Sequence, residues 1–233
     1  MMMYPTIDVK KEISEAVGVR VKKSPDLFSM QVFHKNSVGR IDAENFIKQG
    51  FSKAYGANIS ISMPQILTVK NGNFKAALGI RSAKEPLFIE QYLNTPIEQT
   101  HALIKENITR SNIVEIGSLY SNAIRFTLPL FLVTAVSLFY KNYQYLTFAG
   151  TSHVLNILSK AGVEYSTLCD AKKHALTPSS DDWGSYYETN PKVVVVSLAS
   201  VLQVIDKQVK YQNLFKSLEK KIADVCQQLA EHS

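Results

Sequence analysis

Two carboxylates stand inside apolar runs of this 233-residue chain, Glu90 in FIEQYL and Glu115 in NIVEIG. Acidic side chains seldom enter such runs unless they are paired or at work. A general base that takes the proton of an attacking amine is one job that would hold an acid there. An ion pair with Arg81 is the structural alternative. Glu115 leads directly into Ile116, Gly117 and Ser118, followed by Ser121, Asn122 and Arg125 at the head of a long apolar stretch. Free backbone N–H groups at a helix start attract phosphate or pyrophosphate. Gly117 permits close approach, Ser118, Ser121 and Asn122 offer capping groups, and Arg125 can pair with a phosphate. An ordinary helix cap would use the same residues. A third cluster, Trp183-Gly184-Ser185-Tyr186-Tyr187-Glu188, holds the only Trp of the chain. It closes a substrate pocket or anchors the last strand, and Tyr186 or Tyr187 is a candidate proton donor to a leaving thiolate. His153, at a helix start, reads as a capping or surface residue.

Other chemistries lack their motifs. The chain has no GxSxG elbow, P-loop, Rossmann fingerprint or HExxH. Cys169 and Cys226 stand alone, without the CxxC or histidine spacing of a zinc site, so no metal is expected. They read as buried thiols of a reducing compartment.

The elements that must position these residues follow from the hydrophobic pattern. Residues 27–34 form a candidate strand, and Ala43–Tyr55 has helical spacing with Gly56 as its stop. Gln65–Lys70 and Phe74–Arg81 flank Asn71-Gly72-Asn73, a hairpin signal. Phe88–Leu93 alternates like a short strand, Pro96–Glu106 looks helical, and Asn112–Gly117 reads as a buried strand ending in a Ser118–Asn122 loop. Residues 126–140 then form an apolar helix. Strands are expected at Tyr145–Ala149, Val163–Leu168 and Lys192–Leu198, with a helix between Thr151 and Lys160 closed by Gly162. A polar loop covers 177–182. The tail repeats apolar residues at Val201, Ile205, Val209, Phe215, Leu218, Ile222, Val225 and Leu229, an amphipathic helix that packs on its own domain or pairs with a second copy. The order predicts an α/β protein with a mixed sheet and helices on both faces.

Bulk properties narrow the partners. The composition, 45% hydrophobic and 20% charged, is that of a globular protein with a self-supporting core. The net charge of +6 favours an anionic partner: nucleic acid, an acidic membrane face, a phosphorylated cofactor or an acidic carrier protein. Lys and Arg are scattered among acids, which argues against nucleic acid. The apolar stretch 126–140, interrupted by Pro129, is shorter than the roughly 20 residues of a membrane span and reads as a central core helix. The N-terminal residues carry Asp8, Glu12 and Glu15 and lack an apolar run of signal-peptide length, so a cytoplasmic protein is expected.

Taken together, QILTVKNGNFKAALGIRSA, LFIEQYLNTPIEQ, IVEIGSLYS, YLTFAGT and WGSYYETNPKV resemble the thermostable hemolysin family, over about Tyr55 to Val196. Ser118 replaces the asparagine usual after the glycine of the EIG motif. The family resembles a branch of the GCN5-related N-acetyltransferase fold, akin to acyl-homoserine-lactone synthases. With the pattern read above, the chain divides into an N-terminal segment at 1–40, an acyltransferase-like domain at 41–198 and a C-terminal amphipathic helix at 199–233. The resemblance implies acyl transfer from acyl-CoA or an acyl-phosphopantetheine, the latter on an acyl carrier protein, to a small-molecule amine. Glu115 matches a glutamate on the fourth strand of the synthases; the strand end, Glu115–Ser118, and the Ser118–Arg125 turn would hold pantetheine and pyrophosphate. Glu90 or Glu115 would be the base. The family name implies red-cell lysis, which keeps a non-enzymatic, membrane-active protein as one alternative. A catalytically inactive acyltransferase-like binding domain is another.

Overall fold

The computed structural model describes residues 27–106, 108–178 and 181–230. The reading of the N-terminal residues for an export signal lies outside them. Strand β1 (Ser29–His34) leads through a turn into helix α1 (Arg40–Tyr55). The Asn-Gly-Asn signal forms the expected hairpin between β2 (Gln65–Asn71) and β3 (Asn73–Ser82), with Gly72 at φ 68°. There follow β4 (Ile113–Ser121), α2 (Ile124–Tyr140), β5 (Tyr145–Gly150), α3 (Ser152–Ala161), β6 (Ser166–Asp170), β7 (Lys192–Ser197), α4 (Leu198–Lys207) and α5 (Val209–Ala230). The seven strands make one mixed sheet in the order β1-β2-β3-β4-β5-β7-β6. Only the β4–β5 pair is parallel.

Helix α2 explains its own apolar sequence. Twelve of its seventeen residues are buried, because β2, β3 and β4 cover one side and α4 and α5 the other. Its hydroxyls are satisfied inside this core: Thr134 donates to the Leu130 carbonyl and Ser137 to the Ile222 carbonyl. Among the described residues no helix is long and apolar enough to cross a membrane.

The tail is two helices, not the single helix expected. Gln208 is extended (φ −124°, ψ 112°), and its side-chain amide donates to the Ala161 carbonyl at the end of α3. The apolar face of α5 packs onto α2 and β1, burying Leu218, Ile222, Val225 and Leu229. Gln228 accepts the Val32 N–H at the open edge of β1. Val209, at the start of α5, stays exposed.

Three local expectations are corrected. Phe88–Tyr92 is a 3-10 turn, not a strand, because its leading N–H groups are taken by carboxylates instead of a neighbouring strand. Pro96–Glu106 is two short 3-10 turns, Ile97–Gln99 and Ile104–Glu106; the Thr100 hydroxyl donates to the Ile97 carbonyl and halts the first. Ser118–Asn122 is not a loop, since β4 runs on to Ser121.

The sheet parts in its middle. Parallel pairing of β4 with β5 covers Ile113↔Tyr145, Val114↔Leu146 and Glu115↔Thr147, then stops. Beyond that point β4 stays with β3 as far as Ser121, and β5 stays with β7 as far as Gly150. A bulge bends β4 at the divide: Gly79 faces Gly117 but Ala77 faces Tyr120, so β4 carries one extra residue. Ser118 absorbs it in the left-handed region, at φ 51°. Gly117 beside it leaves room for the Met63 methyl, which would have to shift for a Cβ that would lie 2.3 Å from it. Asparagine tolerates the left-handed region better than serine, and β-branched residues tolerate it poorly. Ser118→Asn should therefore hold or raise the thermal unfolding midpoint. Ser118→Val should destabilise by about 1–2 kcal/mol, and equal midpoints for the two variants would contradict the bulge geometry.

Candidate active site

The divergence of β4 and β5 opens a cavity of about 120 Å³. Ile116, Gly117 and Ser118 form one lip, and Phe148, Ala149 and Gly150 the other. Since strand pairing has ended here, the facing backbone edges of the two lips have no strand partner. Glu115, the last paired residue of β4, stands at the root of the V and lines the cavity.

Glu115 is 1% exposed. Its Oε2 accepts the Phe88 N–H at 2.9 Å and its Oε1 the Ile89 N–H at 3.0 Å. Burial pushes its pKa up, and the two N–H groups and the Arg81 charge only partly oppose this, leaving it at about 7. Arg81 is the cross-strand neighbour of Glu115 on β3 but forms no ion pair with it. Its terminal nitrogens donate to the Pro86 carbonyl and to the Ser62 carbonyl and hydroxyl, and its buried Nε has no hydrogen-bond partner.

Glu90 has a different setting. Arg110 grips it bidentately, at 2.6 Å to Oε1 and 3.0 Å to Oε2. The Leu87 and Ile97 N–H groups donate to the same two oxygens. Burial raises its pKa, but Arg110 and these N–H groups outweigh it and leave the carboxyl below its ordinary value. Arg110 also donates to Glu98 and to the Ala83 and Glu85 carbonyls, lacing the β3–β4 connection together. Glu90 does not line the cavity. The Arg110 partnership went unseen in the sequence because twenty residues and no local pattern separate the pair.

Aromatic rings form the remaining wall. Trp183 and Tyr186 pack on Phe51 of α1, and Phe88 packs on Trp183. The Tyr186 hydroxyl donates to the Ala149 carbonyl at 3.4 Å, and burial holds its pKa well above the ordinary phenol value. Tyr92, unnoticed in the sequence, also faces the cavity; burial and a 2.6 Å contact with the Tyr187 hydroxyl raise its pKa strongly. Asp181 lies at the rim, held by the Ser60 N–H and hydroxyl.

The cavity thus gathers Glu115, Ile116, Gly117, Ser118 and Tyr186 from the sequence-derived candidates. It does not include Ser121, Asn122 or Arg125. Ser121 accepts the Thr127 hydroxyl, the Asn122 N–H donates to the Lys75 carbonyl, and Arg125 lies exposed in the first turn of α2 with its guanidinium over Phe126. Behind the lips, Phe131 and Phe148 also line a second, wholly apolar cavity of about 60 Å³ between α2, α3 and α4. Among the described residues no group of three or more His, Cys, Asp or Glu is placed to hold a metal ion.

The buried acid gives stability a pH signature. The folded pKa of Glu115, about 7, lies above the ordinary 4.5, so the folded state holds the proton more tightly. Below pH 4.5 both states are protonated and the residue costs nothing. Its penalty grows from there to about pH 7 and is constant above. The stability of Glu115→Gln relative to the parent should therefore rise across that window, by at most about 1.4 kcal/mol per pH unit. Denaturant unfolding at stepped pH measures it, and a pH-independent difference would contradict the buried-acid assignment.

Comparison with known proteins agrees with this architecture. The structure is similar to that of the acyl-homoserine-lactone synthase LasI, at TM-score 0.51 and 12% identity over 73% of this chain and 90% of that one. It is equally similar to FeeM, an N-acyl amino acid synthase from uncultured soil microbes, at TM-score 0.51 and 14% identity over 79% of this chain and 98% of that one. The fold is therefore shared with these two synthases. No curated protein matches the sequence. The family model for thermostable hemolysin matches residues 33–202, and the chain belongs to that family.

Proposed function

We propose that the protein is an acyltransferase that moves an acyl group from acyl-CoA or an acyl-phosphopantetheine to the amine of a small molecule. One observation carries the reading: a buried carboxylate with a pKa of about 7 stands at the root of an open strand divergence. A base tuned near neutrality is matched to proton abstraction from an amine. Beyond Glu115↔Thr147 the facing edges of β4 and β5 have no strand partner across the gap and would offer hydrogen bonds to the amides of a pantetheine arm laid between them. The apolar cavity behind Phe131 and Phe148 would receive the acyl chain. The head of α2, with Arg125, would meet the diphosphate of CoA or the phosphate of a carrier. Both donors belong to the cytoplasm, and the reaction is assigned there.

In this reading Glu115 takes the proton that converts the ammonium into a nucleophile. The nitrogen attacks the thioester carbon, the C–S bond breaks, and the surplus proton on nitrogen ends on the departing sulfur. Glu115 then returns its proton to solvent. Tyr186, kept protonated by burial, would relay that proton, giving its own to the sulfur and taking the surplus one from the nitrogen. Glu90, fully engaged by Arg110, would be a positioning residue that fixes the turn donating to Glu115.

Incubation with acyl-CoA and a panel of small amines should yield amide and free thiol in equal amounts. Glu115→Gln should cut turnover by about 100-fold or more while leaving the folded structure intact. The base is active when deprotonated, so kcat/KM should rise with pH through a midpoint of about 7 and level off above it. A variant turning over at the parental rate, or a flat pH profile, would remove Glu115 from the chemistry.

A further inference from the structure

The walls of the cavity differ in charge from the rest of the molecule. The chain carries 26 Lys and Arg against 20 Asp and Glu, yet among the described residues no Lys, Arg or His lines the cavity. Its ionisable charge is acidic: Glu115 at the root and Asp181 at the rim. Between them lie the rings of Phe51, Tyr55, Phe88, Tyr92, Trp183 and Tyr186. Aromatic faces are electron-rich and attract an ammonium while repelling an anion. Asp181 is held in place by Ser60, whose N–H and hydroxyl donate to its two oxygens at 2.9 and 3.1 Å. The nearest guanidinium known to act on Glu115 is that of Arg81, and it lies outside the lining with its terminal nitrogens held by Ser62 and Pro86.

From this arrangement we infer that the acceptor half of the cavity selects a protonated amine on an aromatic or apolar body and rejects amines that also carry a carboxylate. An arylalkylamine meets complementary groups throughout: rings against its body, and Glu115 or Asp181 against its ammonium. The corresponding amino acid brings a carboxylate into a space with two acids, electron-rich ring faces and no lining cation. Desolvating that carboxylate without an opposite charge to pair with is unfavourable. The inference deepens the acyltransferase reading and rests on it for its chemistry, whereas its binding test needs no catalysis.

Trp183 is the only tryptophan of the chain and stands in the cavity wall, so intrinsic fluorescence reports occupancy directly. The full chain is titrated with phenethylamine, phenylalanine and 3-phenylpropionate, without any acyl donor. Phenethylamine should saturate the signal at a concentration at least ~10-fold lower than phenylalanine, and phenylpropionate should give no saturable change. Asp181→Asn should weaken phenethylamine several-fold. Phenylalanine or phenylpropionate binding as tightly as phenethylamine would overturn the inference, and loss of that binding in Arg81→Met would give the cavity a carboxylate clamp instead. Absence of a saturable response to phenethylamine would overturn it as well. A parallel acyl-CoA reaction separates the two readings: if phenethylamine binds selectively but no donor acylates it, the cation site stands and the acyltransferase assignment falls.

Discussion

The carboxylate of Glu115 accepts two consecutive backbone N–H groups, those of Phe88 and Ile89, from inside a nearly dry setting. A buried charge without such partners would cost several kcal/mol, so the acid and the turn depend on each other. The turn cannot join a strand while its N–H groups serve Glu115, and Glu115 cannot remain an acid of useful strength without them. Glu90 and Arg110 secure the other side of the same turn, with Arg110 fastening Glu90, Glu98 and two backbone carbonyls in one network. Phe88 and Tyr92 ride on this turn, which brings their rings to the cavity opposite Trp183 and Tyr186.

A second constraint is the bulge in β4. Strand β4 must remain paired with β3 on one edge while releasing β5 on the other, and one extra residue at Ser118 provides the bend. Helix α2 then stands behind the gap as a filled apolar column, supported by β2, β3 and β4 on one side and α4 and α5 on the other. Core packing therefore continues up to the gap and stops there, with Phe131 and Phe148 between the cavity at the gap and the apolar one behind it.

Much of this was legible in the sequence. The hairpin at Asn71-Gly72-Asn73, the apolar helix at 126–140 and the strand carrying Glu115 follow from turn chemistry and hydrophobic runs, which are local signals. The unusual placing of Glu115 and the aromatic concentration at Trp183–Tyr187 marked two walls of one cavity. What stayed hidden depends on distant partners. FIEQYL has strand-like alternation, and only the carboxylates of Glu90 and Glu115, one of them 26 residues from Ile89, make it a turn. Arg110 likewise gives no hint in its own neighbourhood that it holds Glu90. The break at Gln208 could not be read from periodicity, because the apolar spacing runs on through it while the side chain satisfies the Ala161 carbonyl.

The proposed chemistry turns on the protonation of a single side chain, and that can be observed without substrate. Carboxyl carbon-13 NMR of the protein labelled at glutamate, with Glu115→Gln identifying the resonance, follows its titration directly. A midpoint of about 7 is the result the buried, doubly hydrogen-bonded carboxyl predicts. A midpoint at the ordinary value of about 4.5 would mean that the root of the V is open to water, and would contradict its role as a base tuned by burial.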